Sequence, residues 1–289
     1  MEPPATGIGT DTGSGPAEAL REIDRDRYLA SLLMPPAIRA DVTTLFLFNA
    51  EVASIRDRTA EPMAGEMRLQ WWREVIEGGR AAEAAGHPLA GRLLELIARR
   101  GLATAALTRL LDARIFDLYD DPMPDRATYE AYAGETASTV LQLSVSIADP
   151  ANAAAHADAA GHAGVAQAVA GHLMLLPIHR SRGQVFVPGD LLAATGLDRT
   201  SFLAGDERTK LDSAIDAFAA LGREHLGKAR EALADVPKEV RRVFLPVAIA
   251  GGVFARAEVL KGDCLTRSPQ PSPLQRQWRI WRAALSGRL

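Results

Sequence analysis

The chain has 289 residues, 47% of them hydrophobic and 24% charged, with a formal net charge of −3, a balance ordinary for one large or two small globular domains. That charge argues against a dedicated nucleic-acid binder, which needs a basic face to displace phosphate counterions. A lone cysteine, Cys264, excludes an intrachain disulfide and a thiolate zinc site, and suits a reducing compartment.

Residues 1–20 are rich in Gly, Pro, Thr and Ser and hold no apolar run. They read as a disordered tail, not as a signal peptide, and their shortage of arginine speaks against a mitochondrial presequence. A helix is expected over 24–34, ended by Pro35 and Pro36. In the next, Leu45, Phe48, Val52 and Ile55 recur at three- and four-residue spacing to give one apolar stripe, with Asp41 placed as its N-cap. Helices are predicted over 61–77, 89–99, 104–119, 128–147 and 161–178, with Pro122 and Pro124 as the break in the middle. Residues 180–190 carry a turn signal and a short β-branched run, too brief to found a sheet. Helices resume over 191–195, 210–234, 240–261 and 273–285, the last behind a stiff Pro269, Pro271, Pro273 linker. The longest apolar windows, 165–178 and 243–255, fall short of the roughly 20 residues that span a bilayer. The expectation is a single all-α domain over 21–289, cytoplasmic or peripheral to the inner membrane. A bundle of this kind commonly hosts its ligand site between helices.

Several blocks, taken in order, resemble the squalene/phytoene synthase family: Asp24 to Tyr28, Leu45 to Asn49, Met67 to Arg73, Tyr129 to Glu135, Gly171 to Pro188 and Pro273 to Trp278. Together they span most of the chain after residue 20. The resemblance implies an isoprenoid-synthase-like bundle with a central cavity, in which two aspartate-rich helices face each other. Each would carry two aspartates four apart, because i and i+4 share a helix face. Such pairs clamp Mg²⁺ on a prenyl diphosphate and stabilise the leaving charge. The resemblance further implies Tyr28, Arg68, Arg180 and Arg182 as substrate-binding residues.

At the motifs themselves the chain departs from the family. The first motif falls on Ala53 and Asp57, so only its second aspartate is kept; Glu51 is close in sequence but points to another face. The second motif falls on Gly171, Leu175, Ile178 and His179, none of them a carboxylate. A diphosphate carries roughly three negative charges, and each Mg²⁺ on it takes one or two carboxylates besides phosphate oxygens. Asp57 alone cannot hold such a cluster, and no metal site is assigned. The context Phe48-Asn49-Ala50-Glu51-Val52 with Met67 to Trp72 is similar to the mitochondrial complex I assembly factors of this family. The reading is therefore a non-catalytic member acting in isoprenoid or lipid binding, with a lipid in the central cavity, or in respiratory-complex assembly, with a complex subunit as partner. The alternative is a Mg²⁺-dependent prenyl transferase condensing farnesyl or geranylgeranyl diphosphate.

Other features carry a structural and a functional reading side by side. Asp57 is a residual cation ligand or a salt-bridged carboxylate beside Arg56, Arg58 or Arg68. His172 and His179 share a face and, with His162, are either a weak metal set or polar residues of the interior. Of Trp71 and Trp72, at least one belongs to the core. Asp117, Asp120, Asp121 and Asp125 cap helix ends in solvent or border the cavity mouth. The C-terminal helix carries Trp278, Ile280, Trp281 and Leu285 among Arg276, Arg279, Arg282 and Arg288, and either lies on an anionic membrane or docks on its own bundle.

Overall fold

Prolines start four of the principal helices, where a missing N–H costs nothing: Pro36, Pro62, Pro88 and Pro273 each occupy a first-turn position. The computed structural model describes residues 15–59 and 61–289, and among these there is no strand. In chain order the α-helices are α1 (Pro16–Ile23), α2 (Arg25–Leu32), α3 (Pro36–Ala53), α4 (Ile55–Arg58), α5 (Pro62–Ile76), α6 (Ala81–Gly86), α7 (Pro88–Arg100), α8 (Thr104–Arg114) and α9 (Arg126–Ala133). They continue with α10 (Thr139–Ala148), α11 (Ala157–Ser181), α12 (Gly189–Ala194), α13 (Arg199–Ala204), α14 (Arg208–Ala232), α15 (Lys238–Arg241), α16 (Ala250–Leu260) and α17 (Pro273–Ser286). The first helix begins inside the segment read as a tail, of which residues 1–14 lie outside the described residues.

The most extensive pairing joins the two longest helices, α11 and α14; α10 and α16 pack on them, and α3 packs on α10. A π-helical turn, Gly134–Ser138, links α9 to α10 and lies on α11. The approach there is close: Ser138 Oγ donates to the Gly161 carbonyl at 2.8 Å. A Cβ at Gly164 would stand 2.3 Å from the Ser138 Cα, so only glycine fits this crossing.

Two expectations about α3 are corrected. The helix starts at Pro36, a turn and a half before Asp41. Asp41 is therefore no N-cap but a buried side chain that accepts from Arg99 Nη2 at 2.7 Å and Arg100 Nε at 2.6 Å. Burial alone would push its pKa up, but these two guanidinium groups outweigh burial and hold it below the usual carboxylate range. Nor is α3 amphipathic: Phe46 and Leu47 are as buried as Leu45, Phe48 and Val52, the pattern of a helix enclosed on all sides.

Near the C-terminus the helical run Lys238–Leu265 is 28 residues long, and by length and composition it could cross a membrane, contrary to the short window expected. Within the bundle 67% of its apolar stretch is buried, against α2, α11, α14 and α17, as in a core helix. Pro246 lies within it, removing a hydrogen-bond donor, and Arg242–Ile249 is wound as a 3₁₀ helix.

Candidate functional site

The positions of the first motif straddle a break. Ala53 ends α3, and Ser54 caps it, its N–H donating to the Ala50 carbonyl at 3.1 Å and its Oγ to the Glu51 carbonyl at 2.9 Å. Asp57 sits in the separate short helix α4. Its carboxylate accepts from Arg182 Nη1 at 2.7 Å, while Arg58 turns back to Glu51 at 2.6 Å. Asp57 and Arg182 are 125 positions apart in the chain, so the two motif segments do face one another. What joins them is an ion pair.

On α11 the second motif splits between two faces. Leu175 and Ile178 are exposed, and a Cβ at Gly171 would meet nothing within 4 Å; spaced at i, i+4 and i+7, these three form one outward apolar ledge. His172 and His179 lie on the inward face. His172 stacks on Phe186 with centroids 4.2 Å apart and is hydrogen-bonded through Nδ1 to the Tyr129 hydroxyl at 2.8 Å. His179 packs on the same Phe186 ring at 4.7 Å. Burial drives both imidazoles toward the neutral form: His172 falls well below its ordinary value, with the His179 and Arg114 charges adding to the effect. His179 falls to about 4, helped by Arg182 and opposed by Asp57. Phe186 is held in place because residues 184–188 are tied down: Met123 N–H donates to the Val185 carbonyl at 3.4 Å and the Met123 carbonyl accepts from Gly189 N–H at 2.9 Å. The rings of Tyr132 and Phe116 complete the cluster around Phe186.

The polar centre beside this cluster is a guanidinium that local patterning did not reveal. Arg114, at the end of α8, donates to Asp117 Oδ2 at 2.9 Å, the Tyr132 hydroxyl at 3.2 Å and Asn49 Oδ1 at 3.5 Å. Tyr132 donates in turn to Asp117 Oδ1 at 2.6 Å, and Gln184 donates to the Asp117 backbone carbonyl at 2.9 Å. Burial works against the Arg114 charge, but Tyr132 and Asp117 more than compensate and raise its pKa. Asn49 lies one turn before Ala53 on α3, so this fixed cation approaches the face on which the first motif's missing aspartate would stand. Asp117, expected in solvent or at a cavity mouth, is thus an interior partner. Asp125 does cap α9, accepting from Thr128 N–H at 2.7 Å.

The remaining candidates are scattered. Arg180 donates to the Leu203 and Ala204 carbonyls, both at 2.8 Å, and so closes α13. Tyr28 is half-buried on α2, which packs on α1, α3 and α17, and Arg68 is exposed on α5, which packs on α4 and α8. His162 stands apart from His172 and His179: its Nδ1 meets His225 Nδ1 at 3.0 Å, and His225 Nε2 lies 3.1 Å from Glu130. Trp72 is buried edge-on to Phe48, while Trp71 donates to Glu83 at 3.0 Å.

These residues do not fit a Mg²⁺–diphosphate cluster. Among the described residues no three His, Cys, Asp or Glu side chains converge as metal ligands. The one motif carboxylate is neutralised by Arg182, and hard Mg²⁺ needs oxygen donors that Leu175, Ile178 and a neutral His179 cannot supply.

The model of the family described as squalene/phytoene synthase matches residues 20–282. The chain is 32% identical to NADH dehydrogenase (ubiquinone) complex I, assembly factor 6 of Rattus norvegicus, over 79% of this chain and 68% of that one. It is 31% identical to the Bos taurus protein of the same name, over 97% and 88%. The fold is similar to that of squalene synthase HpnC from Alicyclobacillus acidocaldarius, with a TM-score of 0.71 at 18% identity over 87% of this chain and 94% of that one. A dehydrosqualene synthase has a TM-score of 0.77 at 14% identity, over 94% of each chain.

Proposed function

The chain belongs to the squalene/phytoene synthase family, and from that membership we propose that it is a member without prenyl-transfer activity, acting in the assembly of an NADH dehydrogenase complex. The observation that carries this reading is the Asp57–Arg182 ion pair, standing where prenyl transfer needs opposed carboxylate pairs on metal. The pair is partly exposed, at 32% and 57%, so it adds little stability, but it sets a cation opposite Asp57 where a second ion would need carboxylate oxygens. The relatives at 31–32% identity carry the name of complex I assembly factors, which supports the same reading. Leu175 and Ile178, exposed on one face of α11 beside Gly171, are the proposed contact for a subunit in transit, since grouped exposed apolar side chains mark interaction sites. The proposed place of action is the cytoplasmic surface of the inner membrane.

Removing the chain from its own cells is expected to lower assembled NADH dehydrogenase severalfold on native gels, with squalene and carotenoid levels unchanged. Re-expression of the Asp57→Asn variant is expected to restore assembly. An intact complex together with loss of a prenyl product would overturn the proposal.

A further inference from the structure

The C-terminal helix lies outside the motif helices. α17 docks on the bundle through Ile280 and Ala283, which are buried, and Arg276 on that side pairs with Asp26. A second apolar stripe faces outward: Leu274, Trp278, Trp281 and Leu285, all exposed, follow one another at spacings of four, three and four, so they line one side of the helix. The helix thus carries two hydrophobic faces, and the bundle uses one.

Beside the outward stripe, between α16 and α17, runs a groove of about 280 Å³ whose polar lining comes from Arg256, Arg279, Arg282 and Gln275, with Trp278 at its edge and no acidic residue among its walls. The nearest acid in sequence on α16, Glu258, is turned to Arg223 at 2.5 Å. The groove is shaped around its cations. A Cβ at Gly252 would stand 2.6 Å from Arg279 Nε and 2.8 Å from its Cζ, so the glycine lets this guanidinium lie flat against α16. Arg256 follows Gly252 by one turn and, like five other arginines among the described residues, has a buried Nε with no hydrogen-bond partner, so it is the convergence of three guanidinium groups that marks the groove. Three guanidinium groups around a small concavity form a receptor for an oxyanion such as phosphate.

We propose that this groove binds the phosphate headgroup of an anionic phospholipid, with the stripe from Leu274 to Leu285 seated in the bilayer interface. Two arguments select lipid over a soluble anion or an acidic protein. The apolar stripe runs alongside the cationic groove on the same helix, the arrangement of a helix lying in an interface. Its two tryptophans are the residues enriched at headgroup depth. The site stands apart from the motif helices and does not depend on the assembly reading.

The test is flotation of the full chain with vesicles of phosphatidylcholine, with and without a third of phosphatidylglycerol, read alongside tryptophan emission. Binding to the anionic vesicles is expected with a blue shift that Trp278→Ala/Trp281→Ala removes. At roughly fivefold per arginine, Arg256→Gln/Arg279→Gln/Arg282→Gln is expected to weaken it about a hundredfold. Arg282→Glu alone, at an exposed position, is expected to weaken it at least fivefold and keeps the test clear of any folding defect in the triple variant. Equal binding to neutral vesicles, unchanged binding by Arg282→Glu, or competition by inorganic phosphate at the same concentration as vesicle phosphate would each overturn the proposal.

Discussion

Replacing Arg114 by methionine is expected to destabilise the fold by about 3 kcal/mol, the low end of what breaking a buried ion pair costs. The low end applies because the two side chains keep 15% and 14% exposure, which lets water screen part of the stranded charge. The cost arises from what remains behind. Asp117 would keep the Tyr132 hydroxyl and lose its guanidinium partner, while Asn49 and Tyr132 would lose a donor. Removing both charges together, as Arg114→Met/Asp117→Leu, is expected to cost less than the sum of the single changes, since no orphaned ion is left. Urea unfolding of the four proteins of this cycle reads the coupling directly. A single-variant loss under 1 kcal/mol would mean that the network is a surface feature and not the polar centre of the bundle.

The second large effect is a loss of stability on acidification, traced to His179 and His172. Both are held neutral by burial, with His179 at about 4 against about 6.5 in an unfolded chain. Above pH ~6.5 neither state binds the proton and the full stability is present. As pH falls from there toward 4, the unfolded chain takes up protons that the folded one refuses, so stability drops. For His179 the loss is about 2 kcal/mol by pH 5 and about 3 kcal/mol near pH 4. Carboxylates titrate lower in this window, so the check is a comparison with His179→Gln. Its stability is expected to fall by about 2 kcal/mol less between pH 7 and pH 5. Identical slopes for the two proteins would show that His179 is open to solvent.

What was legible in the sequence is what local periodicity can report. The all-α class and the order of the helices followed from three- and four-residue spacing and from proline positions, and the six matching blocks led to the right family. The content of the site was not legible, because its contacts are remote in the chain. Arg114 meets Asn49 across 65 positions, Gln184 meets Asp117 across 67, and Arg182 meets Asp57 across 125. A periodicity argument shows which face of a helix is apolar, not which distant side chain it meets. Asp41 was misplaced for the same reason. An acidic residue ahead of an apolar run has the signature of a cap, and only Arg99 and Arg100, arriving from α7, make it a buried anchor. The i, i+3 spacing of Arg114 and Asp117 was the one local sign of the central network, and the surrounding acidic run with its prolines masked it.

At the positions expected to carry the motifs, the consequence differs from a simple loss of ligands. Asp57 has a partner in Arg182, and α11 carries an exposed apolar ledge and an inward pair of neutral imidazoles. With no cluster of carboxylates there among the described residues, the bundle has no like-charge repulsion for a metal to relieve. The same fold can then present its helix faces to other molecules.

The central claim, that this bundle cannot clamp magnesium on a leaving pyrophosphate, is tested most directly by incubating the purified chain with farnesyl diphosphate and Mg²⁺ and measuring pyrophosphate. The expected result is release no faster than in the protein-free control, for the native chain and for Asp57→Ala alike. Steady release by the native chain that vanishes in Asp57→Ala would contradict the account.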